Sequence, residues 1–208
     1  MNAFFDSDYQ EELDAAIQEL ESQSSVELVT VIYPECDNYR DIELWGGIFL
    51  AFIALVVKFM VPAIIHIYAI LFGTLLFFSL GIGIVKRVPS LKYILLNKKR
   101  IRRQAEIMAR AIFQKANIHR TSQHTGVLLF ISTFERQAIL LWDIGVDVEL
   151  TIDELDKLQF QFSEIFNTPD PPQALLAKIR ASIPVFEGHL PVQPNDINEL
   201  PNHLHVEL

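Results

Sequence analysis

Three acidic residues in the last third of the chain are spaced as ligands for a hard cation. Asp143 follows an apolar segment, and Gly145 behind it allows a tight turn. Asp147 and Glu149 come next, two residues apart. On an extended segment the three carboxylates would share a face and offer oxygen ligands to Ca²⁺ or Mg²⁺, with Asp143 the candidate catalytic carboxylate for hydrolysis. The alternative is that Asp143 binds neighbouring backbone amides and that the other two are solvated.

The remaining reactive side chains form weaker patterns. His203 and His205 have metal-ligand spacing but no third ligand nearby, and His119 and His124 flank a loop, where we expect them to be solvated. Cys36 has no basic neighbour in sequence and is not predicted to be a nucleophile. As the single cysteine it also excludes an intramolecular disulfide. The sequence has no phosphate-binding glycine loop, zinc-protease motif or nucleophile elbow.

The overall charge argues against nucleic-acid binding. The 208 residues contain 26 acidic and 17 basic side chains, for a net charge of -9, whereas a nucleic-acid-binding domain carries a basic footprint. Half of the residues are apolar, which is enough for a folded core.

One long apolar run, Leu44–Val85, contains a single formal charge, Lys58. As one helix it would be about 63 Å long, twice the hydrocarbon thickness of a bilayer. Pro62 divides it into Leu44–Val61 and Ala63–Val85, about 27 and 35 Å long, each close to one crossing. We therefore predict a two-helix transmembrane hairpin. A buried apolar hairpin inside a soluble core is the alternative.

The basic residues predict the orientation of this hairpin. Nine of the 17 lie within Lys86–Arg110, and basic flanks stay on the cytoplasmic side. We expect an integral protein of the bacterial inner membrane with both termini and the soluble domain in the cytoplasm. The predicted membrane-interface residues, which would hold anionic lipid headgroups or only fix the topology, are Lys86, Arg87, Lys92, Lys98, Lys99, Arg100, Arg102 and Arg103.

The polar parts of the chain show helical and strand patterns. Helices are predicted at 6–22, near 101–117, from Thr151 and from Asp170, and strands at 26–33, 125–132 and 137–142. Ser7 with Gln10, and Thr151 with Glu154, have the spacing of capping boxes. The turn at 133–136 would expose the pair Glu135 and Arg136.

The segment before the apolar run is too short to fold alone. We therefore predict an α/β domain split into 1–43 and 86–186, a small mixed sheet covered by helices, interrupted by the hairpin at 44–85. Prolines from Pro184 onward should end regular structure, so that 187–208 forms an extended or disordered tail.

The motifs around the two central strands resemble the TPM domain family. They are Thr125-Gly126-Val127-Leu128-Leu129-Phe130-Ile131-Ser132, Glu135-Arg136, and Trp142-Asp143-Ile144-Gly145. The positions that match the family motif are Thr121, Gly126, Arg136, Asp143 and Gly145. The sequence Asp196–Pro201 is similar to the ending of membrane-linked bacterial members.

The resemblance implies an α/β sandwich. Some TPM domains are proposed to be acid phosphatases or metal-binding domains, and others are accessory factors of membrane complexes. Since no catalytic constellation stands out, we expect a non-catalytic interaction factor at the cytoplasmic membrane face. No cofactor is assigned to it, with Ca²⁺ or Mg²⁺ as the candidates, and it would bind anionic lipids and a membrane-protein partner or a second copy. The alternative is a phosphatase that depends on Ca²⁺ or Mg²⁺.

Overall fold

A computed structural model describes residues 2–60, 66–192 and 200. The helices are α1 (Ser7–Gln23), α2 (Arg40–Met60), α3 (Ile67–Arg87), α4 (Pro89–Leu95), α5 (Lys98–Lys115), α6 (Ile144–Glu149), α7 (Ile152–Ser163) and α8 (Pro171–His189). The strands are β1 (Glu27–Tyr33), β2 (Gly126–Ser132) and β3 (Gln137–Trp142). Short 3₁₀ helices lie at Asn2–Phe5, Ile118–Arg120 and Glu164–Asn167.

The chain forms two compact units. One contains the residues up to Cys36 and those from Arg102 onward, and the other is Asp37–Ile101. We refer to them as the sheet unit and the hairpin unit.

The sheet unit is built on three strands in the order β1-β2-β3. β1 runs parallel to β2 with Glu27 opposite Gly126, and β2 runs antiparallel to β3 with Ser132 opposite Gln137. The strand before the apolar run thus pairs with a strand after it. The predicted small mixed sheet is confirmed, and the N-terminal segment packs against the part of the chain beyond the apolar run.

Helices cover both faces of the sheet. Alternate residues of β2 point to opposite faces, so that Val127 and Leu129 pack with α1, α7 and α8 while Leu128 and Phe130 pack with α5. Because both faces are covered, the whole of β2 is buried, which explains its continuous apolar sequence. The α/β class is confirmed at this level.

Two helix starts agree with the sequence prediction, and two other predictions are wrong. Thr151 and Glu154 form the predicted capping box, and Asp170 accepts a hydrogen bond from the amide of Gln173. At α1, in contrast, the Ser7 hydroxyl bonds to Asp8 and no side chain caps the helix. Pro184 does not end α8, which continues to His189. Apolar side chains on both sides of this proline, Ile183 and Phe186, are buried and hold the helix against the core.

The hairpin unit contains two helices, α2 and α3, that are long and apolar enough to cross a membrane. Each has 21 residues, and α2 begins at Arg40, before the predicted Leu44. The helices pack through glycines: a Cβ added to Gly81 would lie 2.5 Å from the carbonyl oxygen of Gly46. The apolar run thus forms two helices, as predicted, and not one helix of its full length. Pro62 lies outside the described residues.

Candidate functional site

Four of the five motif residues meet where β2 begins and β3 ends. Thr121 is buried, and its hydroxyl accepts a hydrogen bond of 3.0 Å from the amide of Thr125, closing the loop before β2. A Cβ on Gly126 would lie 2.1 Å from the carbonyl oxygen of Ile118, so only glycine fits there. The amide of Asp143 donates to the carbonyl of Gly126 at 3.0 Å. The first two contacts explain by packing why a threonine stands at 121 and a glycine at 126.

An aspartate–histidine pair lies at the same place. Asp143 Oδ2 is 2.8 Å from His124 Nδ1; the Asp143 side chain is 13% exposed and that of His124 55%. His124 has a positive φ of 58°, and the amide of Gly145 bonds to its carbonyl at 3.0 Å. A Cβ on Gly145 would lie 2.6 Å from that oxygen. The backbone hydrogen bonds of Asp143 with Gly126 and of His124 with Gly145 therefore hold the two residues of the pair at this distance.

The pair has the geometry of a general base. A carboxylate that accepts the proton on Nδ1 of an imidazole fixes the ring and leaves Nε2 as the proton acceptor. The sequence also offered a structural alternative. Its capping role for Asp143 is wrong at α6, where this side chain makes no capping bond, whereas Asp147 and Glu149 are exposed as it expected.

The predicted metal site is not formed in the described part of the chain. The segment after Asp143 is the helix α6 and not an extended strand, so Glu149 is turned away from Asp143 and Asp147. Asp147 accepts a hydrogen bond of 3.1 Å from the indole of Trp142. Among the described residues, no three His, Cys, Asp or Glu side chains are grouped to hold a metal ion. His203 and His205 lie outside them.

The turn between β2 and β3 lies at the other end of the sheet unit and contains a buried carboxylate. Glu135 is fully buried, which corrects the predicted exposed pair; only Arg136 is exposed, with a positive φ of 52°. Glu135 Oε1 accepts from the amide of Cys36 at 2.9 Å, and Oε2 accepts a short hydrogen bond from the hydroxyl of Ser132. Burial, and then Glu135, raise the pKa of the Cys36 thiol to about 12, although a hydrogen bond with Ser132 lowers it. The thiol is therefore protonated at neutral pH.

A groove of about 400 Å³ follows the outer edge of β3, between α5 and α7. Its lining includes Arg102 and Arg110 on one side and Asp156 and Phe160 on the other. The side-chain amide of Gln159 accepts from the amide of Leu140 at 2.9 Å and donates to the carbonyl of Ala138 at 3.0 Å. Gln159 thus occupies one position of the edge in the way a neighbouring strand would.

Two of the predicted membrane-interface residues point into the hairpin unit. Lys92 is 7% exposed and donates to the carbonyl of Asn38 at 3.0 Å, and its Nζ lies 3.6 Å from Glu43. Arg100 forms ion pairs with Asp37 and Asp41.

Both cations also face the ring of the buried Tyr39, at 5.5 Å for Lys92 and 5.2 Å for Arg100. These contacts are of cation–π type. Lys92 is therefore a structural residue and not a headgroup ligand, which corrects the prediction for this position. Arg102 pairs with Glu106 at 2.8 Å, and the exposed remainder of the set is Lys86, Arg87, Lys98, Lys99 and Arg103.

Sequence reasoning missed His124, Tyr39 and the burial of Glu135. His124 lies 19 residues before Asp143 in a loop with a left-handed backbone, which has no periodic signal. The proximity of Glu135 to Cys36 depends on the β1–β2 pairing. The only local indication that Glu135 is buried is its position three residues after Ser132, with which it forms a hydrogen bond.

Comparison with known proteins supports the fold. No protein-family model and no curated protein sequence matches the chain. The fold is similar to that in the NMR structure of BA42 protein from the psychrophilic bacterium Bizionia argentinensis, with a TM-score of 0.57. The two sequences are 14% identical, and the match covers 95% of this chain and 91% of the other. At this identity the similarity concerns the fold.

Proposed function

We propose that this chain is a membrane-anchored, TPM-like domain that acts as a non-catalytic interaction or accessory factor at the cytoplasmic face of the bacterial inner membrane. The observation that carries the proposal is the ladder between β1 and β2. These strands flank α2 and α3 in sequence, so two membrane crossings would return the chain to the side where its partner strand must be. The α/β fold with helices on both faces of the sheet agrees with the TPM resemblance.

The distribution of charge supports the cytoplasmic orientation. Lys86 and Arg87 end α3, and Lys98 and Lys99 begin α5, all four exposed. Basic residues at membrane boundaries are retained on the cytoplasmic side. Reporter fusions at the N-terminus and after Leu208 test this orientation. Both should show cytoplasmic activity, and a periplasmic signal from either end would contradict the proposal.

The groove beside β3 is the proposed contact site for a protein partner, which is another membrane protein or a second copy of this chain. An extended segment bound there would contact mainly the walls of the groove, because Gln159 already takes the amide of Leu140 and the carbonyl of Ala138 on the edge of β3. The walls offer Arg110 and Asp156 to charged residues of such a segment, and Phe160 an exposed aromatic contact.

A photo-crosslinking amino acid at Phe160 tests this contact. Placed in the full chain in native membranes, it should give one discrete adduct, identified by mass spectrometry as a stoichiometric membrane protein or a second copy. The matched control is Val148, which is equally exposed but does not line the groove, and it should give none. Equal adducts at both positions, or a monomer without adduct at Phe160, would remove the groove from the proposal.

The His124–Asp143 pair favours a second candidate function, phosphomonoester hydrolysis. With Asp143 fixing the ring, His124 would take a proton from the water that attacks the phosphorus atom; the ester P–O bond would break, and the imidazolium would return the proton to the leaving alkoxide. The described residues provide no three-ligand metal group, so no step is assigned to Ca²⁺ or Mg²⁺.

Purified full-length protein would be assayed on phosphomonoesters with Mg²⁺, with Ca²⁺ and with a chelator. Asp143→Asn and His124→Gln should abolish turnover, whereas Glu149→Gln should retain it. Turnover that persists in both pair variants, or that no condition elicits, excludes this candidate.

A further inference from the structure

The short helix α4 exposes an apolar surface immediately after α3. Its exposed apolar side chains are Ile94 at 75% and Leu95 at 50%, and Val88 before it is 43% exposed. A seven-residue helix is far too short to cross a bilayer. In water these side chains would remain hydrated, whereas in the headgroup layer of a membrane they would be buried.

Exposed cations flank this apolar surface on both sides in sequence. Lys86 and Arg87 precede α4, and Lys98 and Lys99 follow it. No acidic residue occurs between Lys86 and Lys99. The combination of an apolar face with a basic border is typical of a helix that lies on an anionic membrane surface.

The opposite side of α4 is fixed inside the hairpin unit. Lys92 lies over the ring of Tyr39 and bonds to the carbonyl of Asn38. Ile94 follows Lys92 by two residues, which is about 200° around the helix axis. When Lys92 faces inward, Ile94 must therefore face outward.

We infer that α4 lies in the headgroup layer of an anionic bilayer, with Ile94 inserted among the upper acyl carbons and the four flanking cations on the lipid phosphates. This inference rests on the proposed membrane anchoring by α2 and α3. Two features of the chain indicate that a lipid surface, and not a protein, covers the exposed side of α4. α4 follows an apolar helix of membrane-spanning length with only Val88 between them, and the cations border it on both sides.

Spin labels in the full chain, reconstituted in nanodiscs with 30% phosphatidylglycerol, test this placement. Cys36 is replaced by serine, and single cysteines are introduced at Ile94, at Phe52 in α2 and at Ile152 in the sheet unit. All three native side chains are well exposed. Each label's collision rates with oxygen and with a water-soluble nickel chelate report its depth. We expect oxygen to dominate at Phe52 and Ile94, and nickel at Ile152.

A second set of measurements tests whether the placement of α4 depends on anionic lipid and on the flanking cations. Nanodiscs of phosphatidylcholine alone, or the Lys98→Gln/Lys99→Gln variant, should raise the nickel collision rate at Ile94 at least threefold. Lys115→Gln/Lys157→Gln, which removes two exposed lysines of the sheet unit, is the charge-matched control and should change it by less than one third. Fluorescence of Trp142, read in a Trp45→Phe background, verifies that each variant is folded.

The possible outcomes separate the two proposals. If nickel reaches Ile94 as readily as Ile152 while Phe52 remains in lipid, the placement of α4 is wrong and the anchoring stands. If the Ile94 label is shielded from both reagents, α4 is covered by protein, and the inference is again overturned. If nickel also dominates at Phe52, the anchoring itself fails and α4 with it.

Discussion

Replacing Glu135 by alanine should strongly destabilise the sheet unit. The carboxylate accepts hydrogen bonds from the amide of Cys36 and the hydroxyl of Ser132, at a position with no solvent exposure. Each buried donor left without a partner costs about 1–3 kcal/mol. Since removing the buried charge returns part of its desolvation cost, we expect a net loss of about 3 kcal/mol in the free energy of unfolding.

This loss can be measured by thermal unfolding of the full chain in mild detergent. The variants carry Trp45→Phe, so that fluorescence comes from Trp142 in β3. For a unit of this size, about 3 kcal/mol should lower the midpoint by roughly 6–12 °C. Glu135→Gln, which retains one acceptor, should fall between alanine and the native residue.

The control for Glu135 is the exposed Glu149. Glu149→Ala should change the unfolding free energy by less than about 0.5 kcal/mol. If Glu135→Ala is as stable as this control, the carboxylate does not hold the end of β1 to the turn, and the account of this junction is wrong.

Three further predictions concern groups of the sheet unit. Burial, and then Glu27, raise the pKa of Glu21 to about 7 despite a hydrogen bond from the amide of Leu28. The contribution of Glu21 to the free energy of unfolding is therefore complete below pH 4.5 and is lost as the pH rises through 7. Thermal unfolding midpoints measured from pH 5 to 8 should fall for the native chain and stay level for Glu21→Gln. Gly145→Ala should cost about 2–4 kcal/mol because its Cβ meets backbone oxygen, whereas Gly188→Ala, with open space around it, should be neutral or stabilising in the same unfolding assay. Iodoacetamide at pH 8 should modify Cys36 at least 10-fold more slowly than an exposed cysteine placed at Ile152, given the raised thiol pKa; equal rates would contradict the burial of the thiol.

Elements with periodic patterns or capping residues could be predicted from the sequence. β1, β2 and β3 were defined by β-branched and apolar runs, and the start of α7 by the Thr151–Glu154 spacing. The α/β class and the two apolar helices are predicted by the same patterns. These signals are local, and the structure agrees with them because tertiary packing does not oppose them.

Features that depend on distant contacts could not be predicted. α6 has six residues, too few for a helical period, and the metal hypothesis failed because it assumed an extended segment there. The Asp143–His124 pair requires a left-handed residue in a loop. Pro184 is accommodated because the helix around it is buried, which composition alone does not indicate.

The parallel ladder between β1 and β2 imposes an order on biosynthesis. β1 leaves the ribosome about 90 residues before its partner strand, and both apolar helices are made in the interval. The edge of β1 that pairs with β2 therefore stays unpaired until both apolar helices and β2 have been made. A chain arrested after α3 would expose the unpaired, apolar β1 to chaperones and proteases. Only a chain that has completed both helices and β2 can bury this strand in the sheet.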